Sequence, residues 1–155
     1  MGLPSEWHRI TPEEMLKHYE ATPPELRSDV SLAAALSGTG RKSEALEKLH
    51  EVIALDPKNA RAFELMGAIQ ADMGQEEEAL KSMREAVRVA PNDFASHWGL
   101  GFMLHKFGQP EEAKVELAAV VSLVNESAED ATRDKSQLVS ERFFANEAQK
   151  LLDTL

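Results

Sequence analysis

Five histidines are the side chains of this sequence best suited to metal binding or acid–base chemistry: His8, His18, His50, His97 and His105. Only His97 and His105 fall within one predicted helix. They lie about two helical turns apart, too far to hold one metal ion without further ligands. Two acidic runs, at residues 76–78 and 111–112, precede apolar helical patterns. Carboxylates interact favourably with a helix N-terminus, so these runs indicate helix starts rather than a catalytic pair.

Sequence motifs of known catalytic sites are missing as well. The chain has no Gly-rich phosphate loop, no Gly-x-Ser-x-Gly nucleophile motif and no His-Glu-x-x-His metal motif. We therefore expect no enzymatic activity, no metal site and no cofactor, and we look for a binding function instead.

The composition is that of a folded, acidic protein, with 43% apolar residues, 28% charged residues and a formal net charge of −10. Negative charge repels phosphate backbones and anionic lipids, so we expect neither nucleic-acid binding nor membrane insertion. No cysteine is present, which excludes disulfides and thiolate chemistry. The first residues do not resemble a signal peptide, so a cytoplasmic location is expected. A periplasmic location would require that a longer natural protein has been trimmed.

The chain matches itself when it is shifted by 34 residues. Four sets of residues recur at this interval: Gly40, Gly74 and Gly108; Ala45, Ala79 and Ala113; Leu32, Met66 and Leu100; Leu49, Met83 and Leu117. In each copy an apolar helical pattern runs to the glycine, which suits a left-handed helix cap, and a second helical pattern follows. Pro57 and Pro91 then prevent the second helix from continuing. The spacing predicts three helical hairpins at residues 26–59, 60–93 and 94–127.

These repeats resemble the tetratricopeptide repeat, whose period is 34 residues. The second copy carries the fullest motif: Phe63, Met66, Gly67, Gly74, Ala79, Met83, Ala86 and Pro91. Asp29 and His97 replace the aromatic residue of Phe63, and Asn125 replaces the closing proline. The resemblance implies an all-α fold of three stacked tetratricopeptide helix-turn-helix repeats. This fold is a short right-handed α-solenoid, and we expect capping helices at both its N- and C-terminal ends.

The two ends of the chain are predicted to contain the capping helices. In the N-terminal segment, residues 1–25, Thr11 and Glu14 form a capping-box pattern with proline between them. In the C-terminal segment, residues 128–155, Ser127 is expected to cap a helix. One face of that helix carries Phe144, Ala148, Leu151, Leu152 and Leu155. This face is expected to cover the third repeat. Val139 and Phe143 lie on another face, and two interpretations stay open: simple capping, or a homodimer contact.

The family resemblance places partner binding on the concave groove lined by the first helix of each repeat. In this register the predicted groove consists of Arg27, Val30, Ala34, Arg61, Glu64, Ala68, Trp98, Phe102 and His105. The Lys, Asn and Arg clamp with which some family members bind a terminal carboxylate is missing, so chaperone-tail recognition is not expected. Small residues beside two aromatics favour an apolar segment, as in small three-repeat secretion chaperones.

Trp98 and Phe102 are four residues apart, so they share one face of a predicted helix. Either they are covered by a terminal segment of this chain, carrying Trp7 or Phe143, or they anchor an apolar side chain of a partner. We expect an adaptor or chaperone-like module that binds a protein or peptide segment in its groove. The alternative is a regulatory or localising module cut from, or associated with, a larger enzyme or a secretion or assembly complex.

Overall fold

The structure is a computed structural model that describes residues 11–21, 23, 28–129 and 134–155. Eight helices and no strand are found in these ranges. The helices are α1 (Pro12–Ala21), α2 (Asp29–Gly38), α3 (Lys42–Leu55), α4 (Ala60–Asp72), α5 (Glu76–Val89), α6 (Phe94–Lys106), α7 (Pro110–Ala128) and α8 (Lys135–Thr154).

Three pairs of consecutive helices form hairpins: α2 with α3, α4 with α5, and α6 with α7. The hairpins stack because α3 also contacts α4, and α5 also contacts α6. The first helices form a layer of their own, in which α2 contacts α4 and α4 contacts α6. At the two ends α1 packs on α2, and α8 packs on α7. The predicted all-α fold of three stacked hairpins with flanking helices is therefore confirmed.

A glycine with a left-handed backbone forms the turn inside each hairpin. The φ angles of Gly40, Gly74 and Gly108 are 84°, 76° and 75°, a region in which a side chain with a Cβ atom is strained. These glycines end the first helices, as the sequence predicts.

Side chains of the predicted types cap several helix starts. Asn59 Oδ1 and Asp93 Oδ1 each accept a hydrogen bond of 3.0 Å, from the backbone N–H groups of Ala62 and Ala95. At the start of α1, Thr11 Oγ1 accepts from the Glu14 N–H at 3.2 Å, and a Glu14 carboxylate oxygen accepts from the Thr11 N–H at 2.7 Å. This is the predicted capping box.

The prediction that Ser127 caps the C-terminal helix is wrong. Ser127 lies in the last turn of α7, which is 19 residues long, whereas α3 and α5 each have 14 residues. Pro57 and Pro91 stand two residues beyond the ends of α3 and α5, and a proline disfavours helical geometry in the residue before it. Asn125 occupies the equivalent position and imposes no such break, so α7 continues to Ala128. The next helix, α8, then begins at Lys135.

Small residues allow close approach where the helices cross. Ala45, Ala79 and Ala113 have no exposed surface. A Cβ atom added to Gly67 would lie 2.9 Å from Met83 Cγ, and one added to Gly99 would lie 3.1 Å from Met83 Sδ. The Met83 side chain, on α5, therefore fills the space beside a glycine of its own hairpin and a glycine of the next.

The predicted apolar face of α8 covers the third hairpin. Leu117 and Val120 of α7 have no exposed surface and share a core cluster with Ala148 of α8. The other predicted residues of this face pack against the same cluster: Phe144, Leu151, Leu152 and Leu155. Val139 and Phe143 point away from it, and they are 72% and 60% exposed.

Candidate functional site

The predicted groove residues occupy repeated positions on the layer formed by α2, α4 and α6. One position holds Val30, Glu64 and Trp98, and a second, four residues later, holds Ala34, Ala68 and Phe102. Arg27 lies outside the described residues. Because each position recurs every 34 residues, the three copies can be compared directly: the fold is the same, and only the side chain and its neighbours differ.

The α2 and α4 part of the predicted groove presents small side chains. Val30 and Ala34 are half-buried, and Ala68 is exposed. Arg61, at the start of α4, has a side chain that is 76% exposed. Apart from Arg61, the side chains at these predicted groove positions are small or only half-exposed.

Glu64 does not contribute an exposed carboxylate to the groove. The residue is only 8% exposed. One carboxylate oxygen accepts a hydrogen bond of 2.7 Å from Ser96 Oγ, and the other accepts one of 2.9 Å from Arg61 Nη1. Ser96 is completely buried. Glu64 therefore links α4 to α6 inside the stack, and the expectation that it lines the open surface has to be corrected.

Five aromatic rings form a connected cluster between α6 and α8, which we call the aromatic cluster. The ring of Trp98 lies 5.8 Å from that of Phe102 and 5.8 Å from that of Phe144, measured between centroids. Phe144 also contacts Phe94 at 5.7 Å and Phe143 at 5.6 Å. Such tilted and edge-to-face pairs are favourable arrangements. The cluster therefore supports the ring of Trp98 from both α6 and α8.

Trp98 and Phe102 differ in burial, although the sequence predicts that they share one helical face. Trp98 is half-buried and packs against Phe144 of α8, so the terminal helix of the chain itself covers part of it. The contact is made by Phe144 and not by Phe143, and Trp7 lies outside the described residues. Phe102 is 45% exposed. Phe102 is therefore the more exposed of the two aromatics at the predicted groove positions.

His97 makes a two-sided polar contact next to the aromatic cluster. Its Nδ1 lies 2.6 Å from Glu116 Oε2 of α7, and its Nε2 lies 2.7 Å from the carbonyl oxygen of Pro91. The side chains of His97 and Glu116 are 12% and 19% exposed. The hydrogen bond with Glu116 raises the pKa of His97 above its ordinary value, whereas burial of the ring lowers it by less. His105, the other histidine of α6, is half-buried.

The described residues show neither clustered metal ligands nor a membrane-spanning helix. Among those residues, no three histidine, aspartate or glutamate side chains come together in a way that would hold a metal ion. No helix among them is long and apolar enough to cross a membrane.

Two contacts of the site were not foreseen from the sequence. Glu64 and Ser96 are 32 residues apart, and His97 and Glu116 are 19 apart, so no local pattern pairs them. The 34-residue register did contain a signal. It aligns His97 with Phe63 and Glu116 with Ser82, and two charged groups replacing an aromatic and a hydroxyl at matched positions indicate a contact.

Comparison with known sequences agrees with this architecture. The family profile described as Tetratricopeptide repeat matches residues 36–100. A second profile, described as Anaphase-promoting complex subunit 5, matches residues 94–134. The matched region agrees with the 34-residue period and the stacked hairpins, so residues 36–100 are similar to tetratricopeptide repeats. No curated protein sequence matches it.

Solved structures share the fold over nearly the whole chain. The type III secretion translocator chaperone SycD of Yersinia enterocolitica is 17% identical, with a TM-score of 0.66, and the match covers 100% of this chain and 99% of SycD. PcrH from Pseudomonas aeruginosa is 18% identical, with a TM-score of 0.65 and coverage of 99% and 94%. MamA from Desulfovibrio magneticus RS-1 is 25% identical, with a TM-score of 0.60 and coverage of 81% and 70%.

Proposed function

We propose that this protein is an adaptor or chaperone-like module that binds an apolar segment of a partner protein along α2, α4 and α6. The observation that carries the proposal is Phe102, an aromatic side chain that is 45% exposed where the other two copies have alanine. Because alanine suffices for the hairpin in those copies, the fold does not require the phenyl ring. A ring left open and supported from behind by Trp98 is suited to anchor an apolar side chain.

The likeness to chaperones supports the same proposal. PcrH has been solved in complex with the chaperone binding region of PopD, and SycD in complex with a peptide of the translocator YopD. The same fold in those proteins therefore accommodates segments of other proteins. The alternative function, a module associated with a larger enzyme or assembly, uses the same surface and differs only in what the partner is. The predicted cytoplasmic location and the expected lack of enzymatic activity stay predictions.

A peptide selection tests this function without knowledge of the natural partner. The full chain is immobilised and a phage-displayed library of random twelve-residue peptides is selected on it. We expect peptides with apolar anchors. Their affinity for Phe102→Ala should fall about 30-fold, since truncation of an aromatic hot spot costs about 2 kcal/mol. The melting midpoint of this variant should stay close to that of the parent chain.

Val115→Ala is the matched control. Val115 is an apolar residue of α7 that is 67% exposed and is not part of the predicted groove. Its substitution should leave peptide affinity unchanged. Equal loss of affinity in Phe102→Ala and Val115→Ala, or no loss in either, would contradict binding at the groove.

The exposed face of α8 supports a second candidate, the homodimer contact predicted for the C-terminal helix. Val139 and Phe143 are one helical turn apart and both are largely exposed. Light scattering after size exclusion, over a range of concentrations, would test it. A dimer that dissociates in Phe143→Ser supports the contact, and a monomer mass at every concentration excludes it.

A further inference from the structure

The hairpin of α6 and α7 is held by charged groups where the hairpin of α4 and α5 uses neutral ones. His97 occupies the register of Phe63, and Glu116 that of Ser82. Phe63 is a half-buried apolar residue, and Ser82 hydrogen-bonds to the Gln70 side chain of its own hairpin at 2.6 Å. The third repeat therefore has a titratable contact between its two helices. The second repeat has neutral side chains at the same positions.

The number of protons in this contact follows from its geometry. Both ring nitrogens of His97 face oxygen acceptors, at 2.6 Å and 2.7 Å. A neutral imidazole has only one N–H group, so in that form one nitrogen lone pair would point at an oxygen. Two protons must therefore be shared by His97 and Glu116. Histidine is the stronger base, with an ordinary pKa of about 6.5 against about 4.3 for glutamate, so the ring carries both protons.

Three groups that face the ring favour its positive charge, whereas burial of the ring opposes that charge by less. Glu116 faces it from α7, the carbonyl oxygen of Pro91 faces it from the turn between α5 and α6, and the carboxylate of Asp93 acts on it from the start of α6. Once the ring loses a proton, these acceptors and negative charges surround a group with a single N–H. One of its two bonds is then lost.

We propose that the contact of His97 with Glu116 and Pro91 is a pH-dependent link between α6, α7 and the turn before α6, which we call the tie. In its charged form the ring hydrogen-bonds to both α7 and the preceding turn, and loss of its proton as the pH rises weakens the packing of α6 against them. Trp98 follows His97 directly, so the helix that loosens is the one that presents the groove aromatics. The tie is a property of the free protein and does not depend on the proposed function. Only its effect on partner binding does.

The direction of the pH effect follows from the linkage between protonation and folding. The pKa of His97 is raised in the folded state, mainly by Glu116. The resulting stabilisation is complete below the unfolded-state pKa of about 6.5. It is lost as the pH rises through the folded-state pKa. The third repeat should therefore be more stable below the pH at which His97 of the folded protein loses its proton than above it.

Direct titration of the ring in the full chain needs no substitution. Ring nitrogen chemical shifts, followed by two-dimensional NMR from pH 5 to pH 10, report the protonation of each histidine separately. We expect His97 to keep both protons at a pH where exposed histidines have already lost one. A His97 ring that loses its proton at the same pH as the exposed histidines, or at a lower pH, would overturn the proposal.

A variant with the residues of the second repeat measures what the tie does to stability. His97→Phe combined with Glu116→Ser recreates the pair Phe63 and Ser82. Between pH 6 and pH 9 the melting midpoint of the parent chain should fall by about 2–4 °C more than that of the variant. Equal pH dependence in the two proteins would overturn the proposal. If the double variant does not fold, Glu116→Gln should still lower the titration midpoint of the His97 ring.

Tryptophan fluorescence shows whether α6 becomes more accessible to solvent when His97 loses its proton. In a Trp7→Phe background Trp98 is the remaining tryptophan, so its quenching by acrylamide reports on α6. We expect quenching to increase as the pH passes the titration midpoint of His97, and not to increase in His97→Phe. Quenching that is independent of pH would show that the ring titrates without releasing the helix.

Discussion

The second and third repeats have the same packing residues but give their groove positions different roles. Ala79 and Ala113 are both fully buried, and Met83 and Leu117 fill equivalent places beside a glycine of the first helix. The groove positions differ in identity and environment: Glu64 against Trp98, and Ala68 against Phe102. The shared residues are those that a hairpin needs. The residues at the groove positions instead depend on which helix packs beside each repeat.

The neighbour explains the role of each groove position. Another hairpin follows the second repeat, and Glu64 reaches across to its buried Ser96. The third repeat is followed by the single helix α8, and Trp98 packs against an aromatic residue of that helix. A register position therefore predicts where a side chain lies, but the neighbouring helix decides which contacts that side chain makes.

Removal of α8 should have the largest effect on this comparison. A chain that ends at Glu129 exposes Leu117 and Val120, which are fully buried in the whole protein. Exposed apolar patches promote association, so we expect aggregation or loss of structure in the third hairpin, with the second hairpin retained. Hydrogen–deuterium exchange measured by mass spectrometry would show which amides lose protection. A soluble product with a fully protected α6 and α7 would mean that α8 serves a partner instead.

Overpacking should affect the two repeats equally. Ala79→Leu and Ala113→Leu each force a larger side chain into a crossing without free space, at a cost of about 1–3 kcal/mol in unfolding free energy. Glu76→Ala, at an exposed site on α5, is the control and should change stability by less than about 0.5 kcal/mol. Urea denaturation measures all three. If Ala79→Leu and Glu76→Ala were equally stable, the assigned register would be wrong.

The smallest expected effect concerns the link between Glu64 and Ser96. One repeat earlier, the same two positions hold Val30 and Ala62. Glu64→Val leaves the Ser96 hydroxyl with the 3.4 Å contact to Asp93 alone, and should cost about 1 kcal/mol.

The double variant Glu64→Val with Ser96→Ala copies the junction between the first and second repeats. Replacing both partners with apolar groups can be nearly neutral. Its unfolding free energy should therefore lie closer to that of the parent chain than the sum of the single changes. Simple additivity of the two changes in a double-mutant cycle would show that the hydrogen bond contributes nothing.

The architecture was predictable because its determinants are local and repeated. The turns at Gly74 and Gly108, the caps at Asn59 and Asp93, and the apolar face of α8 each follow from residue types at a fixed spacing. The length of α7 was not predicted. The pattern after Ser127 is typical of a helix start. Because no proline stands at the position of Asn125, however, α7 continues through Ser127 to Ala128.

The site was less predictable, because its contacts join residues that no local spacing relates. The sequence indicated that Trp98 and Phe102 share a helical face. It did not show that Phe144 would pack on one of them and leave the other open. Glu64 was expected in the groove because the repeat register places it on the first helix of the second hairpin. Its burial depends on a hydroxyl on another hairpin, at a distance that the fold sets.

The uninterrupted course of α7 through Asn125 has a consequence for how such an array can grow. Repeats can be added only in whole periods, and the proline that closes each second helix keeps successive units in phase. In the third repeat that phase is lost, because α7 overruns the hairpin length and α8 starts out of step with the period. Between α7 and α8 the third repeat thus offers no in-phase start for another hairpin. We expect a fourth unit grafted in phase to need a proline in place of Asn125 and the removal of α8.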